Sequence, residues 1–231
     1  MQITIITLVK NDSLKFLRTL KSIKCQKREF PIEWIIIDGS NNIQFNKITN
    51  LIKKNVLKEQ GVFIKQINSK KLNIEGIYPC MNYGKKICNG KFIIFLNSGD
   101  TFFNKNSLVS LYNKSLKADI HNSLIFGQAK IIANKKIYWF FPGKRLTNIR
   151  RWLNYFEPNH QAMLVSKTLA NKYDFPTNID IISDGYWKRA ILNKASEIIY
   201  IKKPITKFFL DGVSSTKPSN YVLKKFFKNK K

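Results

Sequence analysis

The chain has 231 residues, with 41 Lys and Arg against 14 Asp and Glu and a formal net charge of +27. A hydrophobic share of 44% and a charged share of 24% make an ordinary globular balance and argue against disorder. Three cysteines (Cys25, Cys80, Cys88) are too few for a disulfide scaffold, and the charge asks for something anionic: nucleic acid, acidic lipid headgroups or phosphorylated ligands.

The positive charge is nearly all lysine, in a chain crowded with Asn and Ile. An AT-rich coding sequence gives the same bias without any functional meaning. Nucleic-acid binders lean on Arg for bidentate base and phosphate contacts, and Arg is scarce here. Ile3 to Val9 is interrupted by Lys10, Asn11 and Asp12, with no small-residue cleavage site beyond, so it reads as a core strand rather than a signal segment. The longest apolar run, Phe92 to Leu96, falls well short of the roughly 18–20 residues of a membrane span. A cytoplasmic protein with reduced thiols is the expectation.

In chain order, strands are expected at Gln2–Leu8, Glu33–Asp38, Val62–Asn68, Lys91–Leu96 and Leu124–Ile132. Between the first four lie helical patterns. Leu14, Leu17, Leu20 and Ile23 follow Asp12 or Ser13 as cap; Ile48, Leu51, Ile52 and Leu57 mark a second helix. Ile77, Met81, Lys85 and Cys88 mark a third, expected to end near Asn89 with Gly90 in the C′ role. This βαβαβαβ order predicts an α/β fold, a mostly parallel sheet with helices on both faces, whose ligand binds beyond the strands' carboxyl ends. The second half differs: a hairpin from Ile125–Ile132 to Lys136–Phe141 across Asn134-Lys135, a returning strand at Asn159–Val165, a helix at Ile181–Leu192, and short strands at Ile198–Ile201 and Ile205–Leu210. We expect one domain over 1–216, with a nucleotide-binding half (1–115) and an acceptor-facing half (116–216), and a basic tail over 217–231.

Unusual polar residues gather at the expected carboxyl ends. An acid such as Asp38, in Asp38-Gly39-Ser40, can bond a ribose hydroxyl or a base imide, or simply cap the next helix. Asn97-Ser98-Gly99-Asp100 is a plain turn or a place where Asp100 holds a divalent cation through hard oxygen contacts. Gly76 opens a helix that carries Asn82, and a helix start favours an anion.

Taken together and in this order, these segments resemble family 2 glycosyltransferases. They are Ile3–Asn11, Glu33–Ser40, Gly76-Ile77-Tyr78 with Met81-Asn82, and Phe95–Asp100. The pattern is similar to the subgroup of bacterial exopolysaccharide and lipopolysaccharide assembly, which often reads GIYDAMNKG followed by FLNSGD. It continues more weakly through His160-Gln161, Ile182-Ser183-Asp184 and Gly212-Val213-Ser214. The resemblance implies a GT-A fold and an inverting hexosyl transfer from a nucleotide-diphosphate sugar, often a UDP-sugar, to a glycan or lipid-linked acceptor. It implies that Thr7, Asn11, Asp38, Ser40, Gly76 and Asn82 line the donor site, that Asp100 holds Mg2+ or Mn2+, and that Asp184 is the general base. His160, Gln161 and Trp187 are candidates for acceptor or donor contact, with a structural histidine and core packing as the alternatives.

The chain departs from the pattern where it matters for metal. Many relatives carry Asp-x-Asp-Asp at the metal turn, and here Asn97 and Gly99 replace two acids. Pro79 stands for the Asp of GIYDAMNKG, and Asp38-Gly39-Ser40 is one glycine short of Asp-Gly-Gly-Ser. The tail, Lys217–Lys231, holds six lysines and no acid, with Val222, Leu223, Phe226 and Phe227 at helical spacing, a pattern suited to an acidic membrane surface and a peripheral inner-face location. Two other classes stay open: a basic nucleic-acid-binding module, which would need a motif the chain does not show, and an inactive transferase-like scaffold.

Overall fold

The computed structural model describes residues 1–27, 29–55, 57–133, 137–178 and 183–211. The chain begins with β1 (Ile3–Val9), α1 (Ser13–Lys24), β2 (Ile32–Asp38), α2 (Asn42–Lys54), β3 (Val62–Asn68), α3 (Ile77–Ile87) and β4 (Phe92–Phe95). It continues with β5 (Thr101–Phe102), α4 (Ser107–Ser115), β6 (Ser123–Ile132), β7 (Tyr138–Phe141), α5 (Ile149–Leu153), β8 (Met163–Ser166), α6 (Lys167–Lys172), α7 (Ser183–Lys194) and β9 (Glu197–Phe209).

One sheet runs β3-β2-β1-β4-β8-β6-β9-β5, with β7 paired to β6 beside β8. Strands β3, β2, β1 and β4 are mutually parallel, so their carboxyl ends share one edge. Strand β8 is antiparallel to both β4 and β6, and β6 and β9 run parallel. The result is the mixed, mostly parallel α/β sheet that the alternation predicted. Every residue of β2 is buried, as expected of a strand covered on both faces. One core layer joins Phe16, Leu20 and Ile23 of α1 to Ile5, Trp34 and Ile94. The opposite layer joins Met81 of α3, Trp187 and Ile191 of α7, and Ile35, Phe95 and Phe126.

Several boundaries differ from expectation. Helix α3 stops at Ile87, and Gly90 is required by a close approach: a Cβ there would stand 2.6 Å from the Thr4 amide nitrogen. Leu57 belongs to a separate 3-10 turn rather than to α2. The returning segment is a 3-10 turn, His160–Ala162, followed by β8. The two short strands near the end are one strand, β9, with register shifts against β6 that absorb Lys202 and Lys203. The hairpin forms, but its turn at 134–136 lies outside the described residues, as do 179–182 and the tail at 217–231.

Candidate active site

The site grows from the carboxyl edge of the parallel strands. Strand β1 ends in a loop in which Asn11 adopts φ +54, and the Asp12 side chain then caps α1 by accepting from the Lys15 amide at 2.8 Å. The Asn11 amide donates to Ser40 Oγ at 2.8 Å, and Asn11 Oδ1 accepts from the Asn41 amide at 2.8 Å. Asp38 is fully buried; one carboxylate oxygen accepts from the Ser40 amide at 2.9 Å and the other from Gln66 Nε2 at 3.1 Å. Asn11, Asp38 and Ser40 are therefore one hydrogen-bonded unit across two strand ends. Thr7 lies beneath it with no exposure. Its hydroxyl donates to the Leu96 carbonyl and accepts from Trp34 Nε1, so its side chain ties strands together.

Gly76 precedes α3 with φ +91, a conformation that L side chains rarely adopt. Pro79 sits in the first turn, where its missing N–H costs nothing. Beside this helix start is an open depression of about 750 Å³ lined by Asn73, Glu75, Pro79, Asn82 and Lys86, among others. Asn82 itself points inward: its amide donates to the Phe175 carbonyl at 2.9 Å and accepts from the Phe175 amide at 2.8 Å.

The turn after β4 lies against β1, with the Ser98 amide donating to the Leu8 carbonyl. Gly99 takes φ +102. Asp100 is 5% exposed, and its carboxylate accepts from the Phe209 amide at 2.9 Å and from Gln161. Burial pushes its pKa up to about 7 against those hydrogen bonds and the attraction of Arg18. Next to Gln161, His160 Nδ1 donates to Asp184 Oδ2 at 3.1 Å, and its Nε2 is buried with no partner among the described residues. Lys188, one turn along α7, reaches the same Asp184 oxygen at 3.0 Å. Burial opposes ionisation of Asp184, but the charge of Lys188 and the hydrogen bond from His160 outweigh it and hold the carboxyl below the usual range. The His160-Gln161 turn thus links the post-β4 turn to the head of α7.

Trp187 corrects one expectation. At 1% exposure it offers no ring face to a ligand; it stacks on Phe175 with centroids 4.5 Å apart, and its indole N–H donates to the Tyr173 carbonyl. Lys188, Lys15 and Arg18 were missed. Lysine is too common in this chain to stand out, and only helical spacing from Asp184 could have singled out Lys188.

Among the described residues no three or more of His, Cys, Asp and Glu converge as metal donors. With Asn97 and Gly99 in place of acids, and the Asp100 carboxylate buried and already hydrogen-bonded, the donor set of this turn does not fit a protein-held divalent ion.

No protein-family model and no curated protein sequence matches the chain. Solved structures do. TarS 1–349 of S. aureus matches with a TM-score of 0.68 at 17% identity, over 98% of this chain and 71% of that one. The same protein in complex with UDP-GlcNAc matches with a TM-score of 0.69 at 17% identity, over 94% and 61%. The mannosyltransferase PcManGT from Pyrobaculum calidifontis, in complex with GDP-Man and Mn2+, matches with a TM-score of 0.67 at 11% identity, over 99% and 64%. The chain spans less than two thirds of the length of the last two. At such identities the likeness is one of fold, and the fold of this chain is that of the GT-A-like glycosyltransferases.

Proposed function

We propose that the chain is an inverting, family 2-type glycosyltransferase that moves a hexosyl group from a nucleotide-diphosphate sugar, a UDP-sugar first, to a hydroxyl of a cell-surface glycan or lipid-linked acceptor. The observation that supports this most is the Gln161-His160-Asp184-Lys188 chain, which sets an ionised carboxylate beside the carboxyl edge of a GT-A-like sheet. In this reading the exposed Asn11, braced by the buried Ser40 and Asp38, and the Gly76 helix start hold the nucleotide, and Thr7 and Asn82 support them from below. Asp184 takes the proton of the acceptor hydroxyl as that oxygen bonds to the anomeric carbon. The bond from that carbon to the diphosphate oxygen breaks on the opposite face, its electron pair leaving with the diphosphate. His160 and Lys188 keep Asp184 ionised at neutral pH. They also lower its basicity, and because both meet Oδ2, Oδ1 is the oxygen that takes the proton in this reading.

Among the described residues no helix is long and apolar enough to cross a membrane. A cytoplasmic enzyme that reaches a lipid-linked acceptor from the inner membrane face is the location this reading favours.

A donor screen with purified full-length protein tests it, following nucleotide-diphosphate release and heat of binding across UDP- and GDP-sugars. Asp184→Asn is expected to lose transfer by at least about 100-fold while still binding donor. Unchanged transfer rejects Asp184 as base, and no binding of any nucleotide sugar favours the inactive-scaffold reading.

A further inference from the structure

The family pattern leads one to expect a metal beneath the donor diphosphate, and the turn after β4 lacks the carboxylates for it. Positive charge reaches the same turn from another direction. A Cβ placed on Gly99 would stand 3.0 Å from Arg18 Nη2 and 3.4 Å from Lys15 Cδ, so two side chains from the first turns of α1 lie directly against the turn. Both hold Asp211, just beyond β9. Lys15 Nζ donates to the Asp211 carbonyl at 2.7 Å, and Arg18 Nη2 to the Asp211 carboxylate at 3.1 Å. Arg18 is kept in place by stacking over Phe209 at 3.8 Å, and its Nε is buried without a partner among the described residues. Asn97 Oδ1 and Ser98 Oγ, on the turn itself, are likewise buried and unpartnered.

We infer that Lys15 and Arg18 form a diphosphate-binding cation pair that replaces a protein-held divalent ion, and that Asp211 is a built-in competitor, its carboxylate for Arg18 and its backbone carbonyl for Lys15. The inference rests on the donor reading given above and adds how the diphosphate's charge is met. The side chains of Arg18 and Asp211 are 33% and 49% exposed, so their ion pair is weak and readily exchanged. A diphosphate brings more charge and more acceptor oxygens than one carboxylate, and a guanidinium fork takes two of those oxygens at once.

Calorimetric titration of UDP and GDP into the full chain, once with Mn2+ and once with EDTA, tests this. The expected result is a dissociation constant that changes by no more than about twofold between the two conditions. In EDTA, Arg18→Gln and Lys15→Gln should each weaken binding by about tenfold, and Asp211→Asn should tighten it by about two- to fivefold. Thermal melts show whether Arg18→Gln and Lys15→Gln are folded, and the two variants give independent readings. Binding that vanishes in EDTA, or Lys15→Gln and Arg18→Gln both at wild-type affinity in EDTA, overturns the cation pair and leaves the donor reading standing. If neither nucleotide binds in either condition, the donor reading fails and takes this inference with it.

Discussion

At the scale of single residues, two carboxylates in one site are driven in opposite directions. Asp184 faces Lys188 and His160 and stays ionised; Asp100 is shut in and is half-protonated near neutrality. The folded Asp100 pKa of about 7 lies above the ordinary 3.8, so between those values the folded state keeps a proton that the unfolded chain has released. Stability from this group is full at low pH and is lost as pH rises through 7. Asp100→Asn keeps an acceptor for the Phe209 amide and can donate to Gln161 Oε1, which has no partner among the described residues. The melting temperature of Asp100→Asn relative to wild type should therefore rise between pH 5 and pH 8, and a difference that stays flat across that range would contradict the assignment. Asp184 behaves in the opposite sense. Its carboxyl is depressed, so its contribution is present at neutral pH and is lost in acid, below the ordinary carboxylate range.

Elements show why the site was only partly readable. The first four strands and the cap of α1 follow from patterns that stand alone: apolar runs at strand length, and Asp12 three residues before the amide that donates to it. Asp38 and Ser40 were legible as a strand end because the apolar run of β2 stops there and turn residues follow. The inward turn of Asn82 was not, because its partner is backbone 93 residues away, and no local pattern encodes that. The same clasp includes Lys85, whose fully buried ammonium meets Asp174 at 2.8 Å and the Ala170 carbonyl at 2.9 Å. Together Asn82 and Lys85 hold the 170–175 segment on which Trp187, and with it α7, is stacked. Asn82→Ala leaves the buried Phe175 N–H and C=O without partners and should cost about 2–3 kcal/mol in denaturant unfolding. Because α7 carries Asp184, the same variant should lower transfer more than it lowers nucleotide affinity.

The continuity of β9 has a different cause. Lys202, Lys203 and Pro204 read as a break, yet the register shift opposite Gly127 accommodates them. A Cβ on Gly127 would stand 2.3 Å from Ile205 Cγ1 and 2.8 Å from the Lys203 carbonyl oxygen, so the bulge depends on a glycine in the partner strand. Gly127→Ala is expected to destabilise by about 1–3 kcal/mol. It should also disturb the far end of β9, where the Phe209 amide meets Asp100 and Asp211 meets Arg18. Wild-type stability in Gly127→Ala would show that the bulge can shift without that glycine.

For the whole molecule, the question is where a charge of +27 acts. We propose that one share of it serves the site: Lys15 and Arg18 face the post-β4 turn and Lys188 faces Asp184. A second share is the run of six lysines in 217–231, outside the described residues, which we propose as a contact for an acidic membrane. Removing that run leaves most of the excess charge in place, so truncation separates a local contact from general attraction. Flotation with vesicles of acidic and of neutral lipid, using the full chain and a chain ending at Thr216, reads this directly. Each lysine near an anionic surface contributes about 1 kcal/mol, so even two or three engaged lysines shift partitioning by more than about tenfold. The full chain should float with acidic vesicles and not with neutral ones, the shortened chain should largely fail to float, and added salt should release the full chain. Equal flotation of both chains would move the membrane contact from the tail to the dispersed lysines of the folded domain.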